Sequence, residues 1–309
     1  MASSGRCEAV LVVGFGGPTR PAEIRPFLDN VLRGRPVAPE RYEEVVRHYE
    51  SMGGRSPYNE LTLLQARALR NQLARDGITI PVEVGMRNWE PYVVDGLVAL
   101  QRAGAHRVLG FIMAAFRSEA SWERYQGVVR AAREAMGPRA PEVEYPEPWH
   151  NHPKFIAAVA ARASETLARI KPDERQRVQL IFTAHSIPVG MATGAPYLEQ
   201  LTEACAAVAA QLGIEPWTLA FQSRSGSPRD RWLEPEVGSA LQKLAAGAIV
   251  VLVPIGFLCD HVEVLYDLDV EAARIARESG VRMERAGTVC DHPEFIAMMA
   301  EIVRLHVAG

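Results

Sequence analysis

The sequence has no CxxC pair, no long apolar run and no block of like charge. Its four cysteines, Cys7, Cys205, Cys259 and Cys290, stand far apart. That spacing fits free thiols in a reducing compartment and argues against a zinc or iron–sulfur site built from them alone. The first apolar stretch begins at Ala9 and is cut short by GFGGP, well below the roughly 20 apolar residues of a membrane span. The residues before it lack the layout of a signal peptide. The expectation is a cytoplasmic protein, with peripheral attachment to a membrane surface left open. Acidic and basic residues are interspersed, for a formal net charge of -3, so no basic face is offered to nucleic acid. No GxGxxG fingerprint occurs; VVGFGGPTRP has only GxGG, with Pro18 where a helix would begin, which disfavours a nucleotide loop.

What remains is ordinary globular composition. The 309 residues are 48% hydrophobic and 23% charged, enough for two domains with sizeable cores. Short apolar runs at 9–15, 81–86, 107–114, 142–146, 178–185, 218–223, 248–255 and 281–287 read as strands, and amphipathic segments fill the intervals. Two of those segments, LTLLQARALRNQLARDG and PYLEQLTEACAAVAAQLG, end on glycine, a usual helix stop. Strands alternating with helices predict an α/β protein with parallel sheets.

The chain also repeats itself. IMAAFRSEASWERY (112–125) lies over VPIGFLCDHVEVLY (253–266), and HNHPKFIAAVA (150–160) answers CDHPEFIAMMA (290–300). The first half carries about thirty extra residues, around LRGRPVAPERYEEVVRHYESMGGRSPYNE. The expected organisation is two related Rossmann-like halves, 1–150 and 151–309, facing across a cleft. A lip insertion falls at about 30–60, and the last helix is allowed to pack back on the first half. Ligands of such sheets sit beyond the carboxyl ends of the strands, here GFGGP, RNWEP, AAFRSE, AHSIP, QSRSGSP and GFLCDH.

Two of those ends carry chemistry. FTAHSIP puts His185 at the end of an apolar strand, where it either bonds to nearby backbone or serves as a base or metal ligand near neutral pH. Ser186 lacks the GxSxG elbow of a hydrolase. In GFLCDHVEVLYDLDVEAAR, Asp260 and Glu263 suit a helix start as a capping pair. Asp267 and Glu271 lie beyond the first turn, where the dipole no longer helps. Read as an α-helix, Glu263, Asp267 and Glu271 form one stripe of like charge that repels itself by a few tenths of a kcal/mol per pair. Such a row is either a solvated face or a path for a hydrated divalent cation or for departing protons. In the lip, Arg33, Arg35, Arg41, Arg47 and Arg55 offer partners for ligand carboxylates, although for most of them a solvated surface is the simpler reading. Phe15, at the end of the first strand, would form an apolar floor.

FTAHSIP, FQSRSGSPRDRWLEP, VPIGFLCDHVEVLYDLDVE and HYESMGGRSPYNELT together resemble the ferrochelatases, enzymes that insert ferrous iron into a porphyrin in haem synthesis. The resemblance covers essentially the whole chain. It implies the chelatase fold, two Rossmann-like domains around a porphyrin cleft. Carried over by position, the catalytic histidine falls on His185 and the catalytic glutamate on Glu263. The metal-facing row then runs through His185, Glu263, Asp267 and Glu271, with Asp269 beside it. Phe15, Arg33, Arg35, His48, Tyr49 and Ser56 become candidate substrate contacts, and Leu32 stands where some relatives have arginine. VGMRNWEPYVVDGL and FLDNVLRGR look most like the bacterial branch that metallates coproporphyrin III; protoporphyrin IX is the alternative substrate.

Iron enters as a substrate. No resident cofactor is expected, and no iron–sulfur cluster, because no cysteine follows Cys290. The partners implied are the porphyrin, ferrous iron and, transiently, other enzymes of haem synthesis. Two rivals remain. One is a chelatase for cobalt or nickel, which usually carries a second histidine where Glu263 stands. The other is a haem-carrying protein without catalysis, which needs neither the base nor the row.

Overall fold

The computed structural model describes residues 6–225 and 230–307; Gly226–Arg229, inside FQSRSGSPRDRWLEP, lie outside the described residues. The chain forms two compact units. One comprises the residues up to Met113, Ala120–Glu147 and those from Phe295 on; the other comprises Ala114–Glu119 and Pro148–Glu294.

The first unit is built from β1 (Ala9–Gly14), α1 (Ile24–Leu32), α2 (Pro39–Ser51), α3 (Tyr58–Arg75), β2 (Val82–Met86), α4 (Val93–Arg102), β3 (Arg107–Ile112), α5 (Arg124–Met136) and β4 (Glu142–Glu144). Its four strands are parallel, in the order β2-β1-β3-β4. All six residues of β1 are buried and apolar or glycine, as expected of a strand covered on both faces. The extra segment supplies α2, which turns Val46 and Tyr49 inward and its many charges outward. Tyr49, Phe15 and Trp89 all meet the ring of Phe27 edge-on, at 5.9, 6.2 and 6.2 Å.

The second unit repeats the plan with α6 (Pro153–Leu167), β5 (Val178–His185), α7 (Val189–Ala192), α8 (Tyr197–Leu212), β6 (Trp217–Gln222), α9 (Val237–Gln242), β7 (Ile249–Val253), α10 (Val262–Val264), a π-helical stretch (Leu265–Ala272), α11 (Ala273–Glu278) and β8 (Arg282–Arg285). Its sheet is parallel in the order β6-β5-β7-β8, the same order as the first. The fold is α/β with a repeated half, as the strand pattern predicts. Helix α12 (Pro293–Val307) belongs to the first unit from Phe295 onward. There Cys7 N donates to His306 O at 2.9 Å, and His306 Nδ1 meets Glu144 Oε1 at 2.9 Å.

The repeated His-Pro pairs are helix starts. His152 Nδ1 accepts from Lys154 N at 3.2 Å, and His292 Nδ1 accepts from Glu294 N at 3.3 Å. Each satisfies one of the unpaired amides of a helix beginning, and the proline that follows has no such amide to satisfy.

Candidate active site

His185 is the last residue of β5, the strand hydrogen-bonded to both β6 and β7. Four bonds fix its surroundings. Tyr197 OH donates to His185 O at 2.8 Å. Ser186 N donates to Gln222 O at 2.7 Å, and Ser186 Oγ to Leu233 O at 3.1 Å. The imidazole Nδ1 lies 2.6 Å from Ser186 O. A carbonyl oxygen can only accept, so Nδ1 carries a proton, and the nitrogen that can act as a base or ligand is Nε2. That Nε2 points at Glu263 Oε2, 3.8 Å away. The separation is too long for a hydrogen bond, and it leaves both groups able to act on a third atom.

Glu263 is held by the segment after β7. The loop from Pro254 leans on β5, with Gly256 N donating to Thr183 O at 3.0 Å. The expected single α-helix over this region is corrected: Leu265–Ala272 is π-helical, between the short α10 and α11. The physical reason lies in the apolar row. Val264, Leu268, Ala272 and Ala276 stand four apart, and all four are buried in one core cluster with Ile181, Ala220, Val250 and Leu252. An α-turn takes fewer than four residues and a π-turn, with its i→i+5 bonds, takes more. A helix that passes from one to the other therefore keeps a four-residue spacing closer to one line than either alone. Glu263, Asp267 and Glu271, one position earlier, stay aligned beside that row. Glu271 is exposed and Asp267 half-buried, so burial deepens from Glu271 to Asp267, while the Glu263 side chain beyond it is 43% exposed. Among the described residues no three His, Cys, Asp or Glu side chains form a group that could hold a metal ion: the carboxylates stand in series.

Asp267 is the most perturbed member. Burial pushes its carboxyl up to about 7, with Glu263 and Glu271 adding like-charge repulsion. Hydrogen bonds from Ser223 Oγ and from Gln222 Nε2 (3.4 Å) pull the other way. Ser223 has φ 61, a left-handed conformation uncommon outside glycine, and from it the hydroxyl reaches Asp267. The consequence is measurable. An aspartate in the unfolded chain titrates near 3.9, so between that value and about 7 the folded state binds the extra proton. Stability must then fall as pH rises through that window. Asp267→Asn should gain thermal stability over the parent protein as pH goes from about 5 to about 8; a difference independent of pH would contradict the raised value.

His261, adjoining Glu263 in the same motif, is a site residue that the capping interpretation of Asp260–Glu263 passes over. Burial lowers its pKa, Glu263 and Asp260 oppose the shift, and His185 adds to it. Its ring meets Phe257 edge-on at 5.1 Å. Gln222 and Ser223 also escaped assignment, although they lie in the quoted FQSRSG stretch.

The remaining candidates lie in the first unit. Phe15 N donates to Tyr58 OH at 2.9 Å, and the ring packs on Phe27. Tyr49 is 8% exposed against the same ring. Ser56 is buried, its N bonded to Pro18 O at 2.8 Å. His48 is half-buried, which lowers its pKa, and it stands 3.9 Å from Glu44. Arg35 folds onto the end of α1, donating to Leu32 O and Val31 O at 3.1 Å each. Arg33 caps that helix with φ 50 and donates to Arg87 O at 3.2 Å.

Arg87, unassigned in the sequence although it begins the RNWEP strand end, is the centre of this group. Its guanidinium lies 5.4 Å from the ring centre of Tyr125, and its Nε is buried without a partner among the described residues. Burial lowers its pKa, and Arg33, Arg124 and Arg35 add like-charge repulsion. A buried guanidinium with three more arginines near enough to repel it forms a place for anions.

Burial pushes Cys7 up to about 12 and Cys290 up to about 11, and raises Cys205 as well. No helix among the described residues is long and apolar enough to cross a membrane.

The sequence profile of the ferrochelatase family matches residues 7–307. A ferrochelatase of Rhodopirellula baltica is 41% identical over 300 residues, covering 96% of this chain and 85% of that protein. A coproporphyrin III ferrochelatase of Mycolicibacterium vanbaalenii is 39% identical, covering 96% and 89%. One from Nocardia farcinica is also 39% identical, covering 98% and 89%. Among solved structures, the sirohydrochlorin chelatase SirB of Bacillus subtilis subspecies spizizenii in complex with cobalt matches with a TM-score of 0.57 at 13% identity, covering 97% and 95%. CbiX, the terminal enzyme of sirohaem biosynthesis in denitrifying bacteria, matches with a TM-score of 0.55 at 14% identity, covering 96% and 98%. At that identity the two structures speak for the chelatase fold.

Proposed function

The chain belongs to the ferrochelatase family and is a metal chelatase, and on that premise we propose that it inserts ferrous iron into coproporphyrin III to give coprohaem III. The observation that carries the reading is the Nε2 of His185 standing 3.8 Å from Glu263 at one end of a carboxylate row. Insertion replaces two pyrrole N–H protons by one Fe²⁺, so the site must accept two protons and bring in a divalent cation. His185 and Glu263 supply two acceptors. Asp267 and Glu271 supply oxygen ligands in series, which suits a metal that passes through rather than one that stays. Holding ring and metal together contributes proximity, and distortion of the ring exposes its nitrogens.

The choice of porphyrin rests on the relatives and on charge. Coproporphyrin III carries four propionates, and the Arg87 group, with Arg33, Arg35 and Arg124, is a surface for carboxylates. The reading includes a cytoplasmic setting and transient contact with neighbouring enzymes of haem synthesis.

Anaerobic incubation with ferrous iron and either coproporphyrin III or protoporphyrin IX, followed by absorbance, tests it. Turnover of coproporphyrin III is expected. Turnover of protoporphyrin IX alone would overturn the substrate, and retention of either ring without metallation would overturn the enzyme in favour of a carrier.

A further inference from the structure

Of the five carboxylates between residues 260 and 271, three form the row and two do not. Asp260 and Asp269 are both taken by one guanidinium, that of Arg285 at the end of β8. Arg285 Nε donates to Asp269 Oδ1 at 2.6 Å and Nη2 to Asp269 Oδ2 at 2.9 Å. Nη1 reaches Asp260 Oδ1 at 3.2 Å and Nη2 reaches Asp260 Oδ2 at 3.3 Å. A further bond, from Nη1 to Ala286 O at 3.3 Å, ties the same group to the backbone beyond β8. The Arg285 side chain is 15% exposed.

The placement of these partners is informative. Asp260 precedes Glu263 and Asp269 follows Asp267, so the two acids bracket the length of chain that carries both. That length includes the first half of the π-helical stretch, whose wider turn is the less common way to wind a helix and needs support from outside it. The buried apolar row supports it from the sheet face; Arg285 supports it through the bracketing acids. Paired forks of this kind fix geometry as well as charge, and an ammonium cannot reproduce them.

We infer that Arg285 is a positioning residue for metal insertion: by clamping Asp260 and Asp269 to the end of β8, it holds Glu263 opposite His185 and Asp267 on Ser223. It also removes two carboxylates from competition, so that a cation meets one row instead of a scattered acidic patch. The inference rests on the metal-insertion reading above.

The test compares Arg285→Met, Arg285→Lys and the milder Asp269→Asn, which leaves the Asp260 arm in place. Each is assayed for iron insertion into coproporphyrin III, for porphyrin affinity by fluorescence quenching, and for amide hydrogen exchange without substrates. In Arg285→Met, kcat is expected to fall by ~10-fold or more and KM for iron to rise, because small displacements of reacting groups are costly. Porphyrin affinity should stay within about two-fold, and residues 262–272 should exchange faster while α3 and α12 keep their protection. Arg285→Lys should recover only part of the rate, and Asp269→Asn should fall between parent and Arg285→Met.

A folded Arg285→Met with parental kcat and iron KM would overturn the proposal. So would an equal loss of protection everywhere, which would make Arg285 a general stabiliser. Should Arg285→Met not fold, Asp269→Asn decides by the same two readouts. A parent protein that inserts no iron would refute the metal-insertion reading instead, while the exchange pattern would still judge the clamp.

Discussion

Replacing His185 by alanine is expected to reduce iron insertion by ~10²–10⁴-fold, the usual range for loss of a general base, while the protein stays folded. The expectation follows from how the ring is held. Ser186 O locks Nδ1 as the donor, so the reactive lone pair sits on Nε2 and faces Glu263. Alanine removes the only histidine nitrogen placed there by β5. The fold should tolerate the change because the anchoring bonds at this strand end use backbone and neighbouring groups: Tyr197 OH to His185 O, Ser186 N to Gln222 O, and Ser186 Oγ to Leu233 O. The side chain itself is 32% exposed. Anaerobic turnover together with circular dichroism checks both halves. Turnover within ten-fold of the parent, in a folded variant, would take His185 out of the mechanism.

The second large effect is expected at a residue with no side chain. Gly256 lies in the loop that leads from β7 to Glu263, and a Cβ built there would stand 2.6 Å from Ala184 Cα and 3.3 Å from Thr183 O. Those are backbone atoms and cannot swing aside. Gly256→Ala must therefore push the loop away from β5, strain the bond from Gly256 N to Thr183 O, and widen the gap between His185 and Glu263. Overpacking of this kind costs about 1–3 kcal/mol, and a displacement near 1 Å at reacting groups costs about 10²-fold in rate. Expected is a fall in kcat of that order with a modest loss of thermal stability. Unchanged kcat would mean that the distance between His185 and Glu263 is not what the reaction depends on.

Much of this site was readable in the sequence, for a physical reason. His185 ends the apolar run of β5, and Glu263 follows the loop that leaves β7; the ends of buried strands in parallel sheets are where ligands meet side chains. What could not be read is how the next segment winds. Glu263, Asp267 and Glu271 fit an α-helix by spacing, and only the burial of Val264, Leu268, Ala272 and Ala276 against the second sheet reveals why the π-turn keeps the spacing. The lip candidates show the same limit. Tyr49 and Ser56 stand inside the first unit, against Phe27 and beside Gly17. Positive charge gathers instead around Arg87, joined by Arg33 and Arg35 from the end of α1 and by Arg124 from the start of α5.

By itself the sequence determined what depends on near neighbours: the alternation of strands and helices, their repetition in two halves, and the strand end that bears His185. Apolar runs, periodicity and turn residues are local, and they act whatever the rest of the chain does. Tertiary structure alone decided the facing of His185 and Glu263, the π-turn, the raised pKa of Asp267 and the capture of Asp260 and Asp269 by Arg285. Each of these depends on atoms brought together from distant positions, Ser223 on Asp267 and β8 on the acidic segment. Electrostatic energies are set by such distances and by burial, and neither exists until the sheets have packed.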